Sequence, residues 1–327
     1  MYSWQKLQWQ QIMQRASLPH ALLLRGRAGA GKHDFAIDLA QSLLCSNPQQ
    51  TKACSACSSC VWFKEGVHPD FRLIEPEDAD NADETSKKKT TKKRQISVTQ
   101  IRQLIDYLNL SSHQVNARRV ILISPAEVLN GASANALLKM LEEPPANTLF
   151  LLVTSQSQRL LATIISRCQL IEMPLPNRVE ALAWLQAQQV NHAETVLDYA
   201  GGAPLFALQV AEEGDVSIEL VKSLALGPKL DAFSCAPLFL STGMERAIDT
   251  LQKWIFDLVA YKLSQVLRYH SAHDVALQAL CKSVNLKALL SFQDKLIAAK
   301  KTANHPLSNE VQLENILLQY TQLFKLI

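Results

Sequence analysis

The 327-residue chain has no apolar run of the roughly 20 residues that a membrane-crossing helix needs. Nothing at its start reads as a secretory leader. Residues 1–16 scatter Trp4, Leu7 and Trp9 among five glutamines and hold no apolar core, so a cytoplasmic protein is expected. Strong charge is also missing. A net charge of +3 and a pI near 8.4 do not demand a nucleic-acid partner. No internal repeat is present. An apolar content of 48% is ordinary, and the length predicts two or three domains with ample core.

The most telling absences are local. Gly26-Arg27-Ala28-Gly29-Ala30-Gly31-Lys32-His33 follows the apolar run 21–24 and keeps the pattern G-x-x-x-x-G-K of a phosphate-binding loop. In that pattern the next residue is Ser or Thr, whose hydroxyl binds Mg²⁺; here it is His33. Imidazole suits a hard, oxygen-seeking cation poorly. A hydrolytic loop also needs an acidic pair after a buried strand. After Arg119-Val120-Ile121-Leu122-Ile123 stands Ser124-Pro125 instead, and Glu127 is expected to lie out of reach. Two separate defects thus remove metal ligation. Backbone N–H groups of residues 29–32, with the charge of Lys32, still make a phosphate cradle at a helix N-terminus. Mg²⁺ is not expected, and whether ATP or ADP occupies the loop stays open.

Four of the seven cysteines lie close together, as Cys45-x8-Cys54-x2-Cys57-x2-Cys60. Cys-x2-Cys loops bite a single tetrahedral ion, and four thiolates close the site, so structural zinc is expected. The reading as buried apolar cysteines fails because Ser55, Ala56, Ser58 and Ser59 supply no apolar run. Cys168, Cys235 and Cys281 are expected in the core.

The first half alternates strand-like runs at 21–24, 71–74, 120–123, 149–154 and 170–171 with helical patterns, as a parallel α/β sheet does. One helix starts at Lys32. Another opens at Ser97 with Gln100 as a capping box, and a third runs over 133–143 into Pro144-Pro145. A short helix is expected over 157–163, ahead of Ser166-Arg167-Cys168. By itself that tripeptide reads as a surface salt bridge. Residues 77–94 hold acids and then lysines with nothing apolar larger than alanine, a disordered charged insertion rather than a DNA-binding arm. Strand signals end near Met173, and Pro174 and Pro176 mark a boundary. Beyond it the pattern is helical, with stripes at Leu251, Trp254, Ile255, Leu258, Val259, Val266 and Leu267, and at Leu313, Ile316, Leu317, Tyr320 and Phe324.

In one order stand the loop, the cysteine cluster, His68-Pro69-Asp70, Asn135-Ala136-Leu137-Leu138-Lys139-Met140-Leu141-Glu142-Glu143-Pro144-Pro145, Thr154 and Ser166-Arg167-Cys168. This order closely resembles the bacterial sliding-clamp loader subunits of the AAA+ class, over residues up to about 208. The lost Mg²⁺ positions, and Leu205 where an active subunit carries a lid arginine, align it with the non-hydrolysing member of that family. The resemblance implies three domains. These are a RecA-like domain over 1–173 with the zinc module at 45–60, a helical lid over 174–213 and a helical collar over 214–327. It implies gamma/tau and delta subunits as partners, with the clamp and primed DNA reached through the complex. It implies that Gly26, Gly29, Gly31, Lys32, His33 and Thr154 form the degenerate nucleotide site, and that Arg167 acts in trans as an arginine finger within a DNA polymerase holoenzyme. Two rivals are an active gamma-like ATPase and a non-enzymatic zinc-bearing DNA-binding module.

Overall fold

Apolar runs of four to seven residues, each followed by a helical pattern, form a parallel sheet with a helix packed on each face. A computed structural model describes residues 1–77, 95–109, 118–212, 216–302 and 309–324. Nearly all of the charged insertion expected at 77–94 lies outside these residues. The strands are β1 (Ala21–Arg25), β2 (Phe71–Ile74), β3 (Arg119–Ile123), β4 (Thr148–Thr154) and β5 (Gln169–Glu172). Their order across the sheet is β2-β3-β4-β1-β5, with every pairing parallel. Each agrees with its expected run to within two residues at either end.

β1, β3 and β4 lie inside the sheet, with both faces covered. Successive side chains therefore enter opposite cores. Leu22, Leu24, Val120, Leu122, Leu149 and Leu151 pack with Trp9, Ile12, Phe35 and Leu39. Leu23, Ile121, Ile123, Phe150 and Leu152 pack with Ile101, Leu104, Leu137, Leu141 and Ile164 on the other face. The helix Val98–Asn109 opens as its sequence predicts: Ser97 N donates to Gln100 Oε1 at 2.9 Å, and Gln100 N donates to Ser97 Oγ at 3.3 Å. The helix Gly131–Glu142 is capped by Asn130 Oδ1, which accepts from Ser133 N at 2.8 Å.

One helix is displaced from expectation. In place of a helix over 157–163 there is one 3₁₀ turn, Ser157–Arg159, and then a helix Ala162–Arg167. Leu160 is buried and Leu161 is extended, at φ −62° and ψ 135°, so the chain breaks there and restarts. Arg167 thereby ends a helix instead of following one.

The described residues fall into two compact units divided after Pro176. The second is helical. Arg178–Ala187, Ala193–Tyr199 and Pro204–Glu212 close a small core of Ala181, Leu185, Leu197 and Ala207. A larger core gathers Leu251, Trp254, Leu258, Leu313, Leu317 and Tyr320. Trp254 Nε1 donates to the Tyr320 hydroxyl at 2.8 Å, which donates to Leu224 O at 2.6 Å. Val266 departs from its expected stripe. The helix Met244–Ser264 stops at Gln265, which is left-handed at φ 57°, and Val266 is exposed. Among the described residues no single helix is long and apolar enough to cross a membrane.

The turn after Gln265 is held by one carboxylate. Asp257, fully buried, accepts from the backbone N–H groups of Arg268, Tyr269 and His270 at 2.8–3.2 Å and from His270 Nδ1 at 2.9 Å. Burial pushes His270 below the ordinary imidazole range, despite the opposing pull of Asp257, so the ring is neutral and donates through Nδ1. Asp257→Ala strands three backbone donors. Denaturant unfolding should show a loss of about 3–5 kcal/mol, since each buried donor left unsatisfied costs roughly 1–3 kcal/mol.

Candidate phosphate-loop site and cysteine cluster

β1 delivers Gly26 at its C-terminal end, between β4 and β5. Gly26 N donates to Thr154 O at 3.3 Å, and a Cβ at Gly26 would lie 2.2 Å from Met173 O. Only glycine fits that approach. Gly29 and Gly31 turn the loop at φ +78° and +79°, and Lys32 begins the helix Lys32–Leu44. Lys32 is buried. Its Nζ donates to Arg27 O at 2.7 Å and Ser155 Oγ at 3.0 Å, and burial lowers its pKa to about 8 while the Glu127 charge pulls the other way.

Glu127 is nearer than the sequence reading expects. After Pro125 a 3₁₀ turn, Ala126–Val128, brings the side chain back. Its Oε1 accepts from Ser155 N at 3.0 Å, and its Oε2 is buried without a partner. The carboxylate thus supports the residue that holds Lys32. Thr154, fully buried at the end of β4, accepts at Oγ1 from Gln156 N at 3.1 Å.

The two altered metal positions meet in space. His33 Nδ1 lies 3.1 Å from Ser124 Oγ and 3.9 Å from Glu75 Oε1. An imidazole and a serine hydroxyl thus replace the hydroxyl and carboxylate that hold Mg²⁺ in a hydrolytic loop. The residues do not fit that cation. The phosphate cradle itself keeps its turns and its lysine.

A contact that the sequence does not announce covers the loop. Gln5 Nε2 donates to Ala30 O at 2.9 Å and Gly31 O at 2.8 Å, and Trp4 Nε1 donates to Ala30 O at 3.1 Å. Tyr2 stacks on Trp4 with ring centroids 4.8 Å apart, and its hydroxyl donates to Asp34 at 2.6 Å. Three residues of no recognisable motif thus clamp the loop from outside.

The four cysteines converge beyond the far end of the same helix. Their Sγ atoms all lie within 4.8 Å of one another. Cys45 to Cys54 is 3.5 Å, Cys45 to Cys57 3.8 Å and Cys54 to Cys60 4.0 Å. Four sulfurs each about 2.3 Å from a tetrahedral ion sit about 3.8 Å apart, so this donor set fits a metal ion. Backbone N–H groups point at the sulfurs: Cys54 N donates to Cys45 Sγ and Cys57 N to Cys54 Sγ, both at 3.3 Å. N–H groups, chiefly that of Cys60, bring Cys57 down to about 6, while burial pushes Cys60 up to about 12. Four protein ligands leave no open coordination position. Behind the cluster, Ser59 Oγ donates to Leu44 O at 2.6 Å, and His68 Nδ1 accepts from Asp70 N at 3.0 Å. His68 Nε2, 2.9 Å from Ser59 Oγ, is therefore the protonated ring nitrogen.

Arg167 lies apart from its own chain's loop contacts. Its guanidinium pairs with Glu142 Oε1 at 2.7 Å and donates to Thr163 O at 3.1 Å. Of the remaining cysteines, Cys281 is buried, while Cys168 and Cys235 are half-buried against the cores.

A family profile described as "DNA polymerase III, delta subunit" matches residues 3–177. The chain is 33% identical to the DNA polymerase III subunit delta' of Pseudomonas aeruginosa, over 99% of this chain and 98% of that one. It is 30% identical to the DNA polymerase III subunit delta' of Escherichia coli, over 78% of this chain and 72% of that one. A DNA polymerase III gamma subunit-related protein of Thermotoga maritima aligns at 17% identity over 97% of this chain and 98% of that one, with a TM-score of 0.47.

The outer clamp gives a direct test. A methyl at Gly31 would lie 2.5 Å from the Tyr2 ring, at a φ that alanine rarely adopts. Gly31→Ala should lower stability by roughly 1–3 kcal/mol. Adding Tyr2→Ala should restore only the steric part, read by thermal unfolding of both variants.

Proposed function

The chain belongs to the family of DNA polymerase III delta' subunits, and we propose that it serves as the stationary, non-hydrolysing member of the loader that places the sliding clamp on primed DNA. It would work in the cytoplasm beside gamma/tau and delta subunits. Residues 1–173, 174–213 and 214–327 would act as RecA-like, lid and collar domains. The observation that carries this reading is the meeting of His33 and Ser124 at 3.1 Å. Both positions that would ligate Mg²⁺ are altered together, on two elements remote in sequence, while the cradle around them is kept. A motor of the gamma type needs those ligands.

The chain's contribution to chemistry is then made in trans. Guanidinium is planar, permanently charged and matched to phosphate oxygens. Arg167 ends a helix with its side chain 35% exposed, and in cis it has no hydrolytic site to serve. It would reach the ATP of the adjoining gamma/tau subunit and stabilise charge on the γ-phosphate, a role worth roughly 10³–10⁵ in rate in the well-studied GTPases. Glycines 26, 29 and 31 with Lys32 would hold a phosphate group at most, without turnover. The cysteine cluster would hold one structural zinc. When bound, the ion supplies a cross-link between the end of the loop helix and the residues at 54–60.

Three measurements test this. The purified chain should release no phosphate from ATP at steady state; turnover that co-purifies with it and disappears in Lys32→Ala would make it a motor. Metal analysis should find close to one zinc per chain, falling well below one in Cys57→Ser, with the sheet still formed. In a reconstituted loader, Arg167→Ala should assemble normally yet lower DNA- and clamp-stimulated ATP turnover, and Arg167→Lys should rescue only partly. Normal loading by Arg167→Ala would reduce Arg167 to a surface residue.

A further inference from the structure

Arg167 has a partner within its own chain that deserves a role of its own. Its NH2 group lies 2.7 Å from Glu142 Oε1, and NH1 donates to Thr163 O at 3.1 Å. Glu142 is the last residue of the helix Gly131–Glu142, directly before Glu143 and the Pro144-Pro145 stop. A carboxylate there faces the negative end of the helix dipole, so it does nothing favourable for its own helix. Glu143, its neighbour, makes no ion pair among the described residues, whereas Glu142 engages the one arginine assigned to a neighbour's nucleotide. Both partners are partly open to solvent, with side chains 35% and 50% exposed. An ion pair so exposed is weak and exchanges readily.

A guanidinium offers the same fork to a carboxylate and to a phosphate. It cannot present one edge to both. We propose that Glu142 is an internal competitor for Arg167, holding the finger on its own chain until a γ-phosphate stands beside it. A nucleoside triphosphate brings enough charge to take the arginine from a weak surface pair. A diphosphate lacks the terminal group and leaves the arginine with Glu142. The inference rests on the reading of Arg167 as a finger in trans. Its arithmetic is that of any pre-equilibrium: if Arg167 is free for only a fraction of the time, apparent affinity for the ligand that needs it falls by that fraction. An exposed pair of this kind predicts a factor of about two to five.

The experiment uses a reconstituted loader with wild-type chain, Glu142→Gln, Arg167→Ala, and the double variant. Gln keeps the shape of the side chain and removes the charge. Equilibrium titration with a non-hydrolysable ATP analogue and with ADP is read for each, after melting curves confirm folding. Glu142→Gln should bind the triphosphate analogue about two- to five-fold more tightly than wild type, with a smaller gain for ADP. The double variant should match Arg167→Ala. If Glu142→Gln weakens the analogue or slows turnover as Arg167→Ala does, Glu142 orients the finger and the competitor is refuted. If Glu142→Gln equals wild type while Arg167→Ala is impaired, the ion pair is inert and the inference alone fails. The same follows if its gain persists in the Arg167→Ala background. If Arg167→Ala itself changes neither nucleotide affinity nor turnover, the finger reading fails, and the competitor with it.

Discussion

The first unit is organised around the seating of β1 between β4 and β5. Ala21 to Leu24 are fully buried, and both neighbours run parallel to them in fixed register, Leu24 opposite Val153 and Ile171. A strand so held cannot slip without turning apolar side chains into the wrong core. Its end therefore places Gly26 against Thr154 and Met173 whatever chemistry follows. This accounts for a phosphate loop that keeps its turns while its metal-binding positions are altered. The glycines answer to the packing of the sheet, as Gly26 against Met173 O shows, and Lys32 answers to Arg27 O and Ser155. His33 and Ser124 answer to neither, so they are free to differ.

The same logic sorts what was legible in the sequence. Strands buried on both faces announce themselves as short apolar runs, as β1, β3 and β4 do, and the edge strands β2 and β5 carry shorter ones. Ser97 and Gln100 form the reciprocal bonds their spacing implies, and the four cysteines converge as a metal-binding set. Contacts that depend on how the chain returns from a distance left no local signal. Glu127, two residues beyond Ser124-Pro125, is expected out of reach, whereas the turn at Ala126–Val128 brings its carboxylate to Ser155. Nothing in Tyr2, Trp4 and Gln5 marks them as a clamp, because Trp4 and Gln5 bond backbone carbonyls and Tyr2 bonds Asp34, all more than twenty residues away. The helix expected over 157–163 lies instead at Ala162–Arg167, because its start depends on burying Leu160, a tertiary demand that periodicity does not carry.

The second unit shows a different economy. Its helical stripes were readable, but the cut-off at Gln265 was not. Val266 continues the apolar period and yet lies outside the helix, because Asp257 gathers the backbone donors of residues 268–270 into a turn. A single buried carboxylate thus outweighs the period of several apolar residues. Lys253 reinforces the same region, its ammonium 3.9 Å from the Tyr199 ring centroid and 4.9 Å from that of Phe206. Helices before and after residues 213–215 are fastened by these contacts and by Tyr199 to Thr250, with hydroxyls 2.9 Å apart.

The helix Lys32–Leu44 can be viewed as a beam pinned at both ends. At one end Gln5 and Trp4 grip the carbonyls of Ala30 and Gly31; at the other, Cys45 is the first donor of the sulfur cluster and Ser59 ties down Leu44 O. Its thirteen residues give it a length of about 20 Å. A beam pinned this way resists sliding along its axis and rotation about it. A push on the cysteine module would arrive at the phosphate loop as displacement of a stiff body, with little lost to bending between.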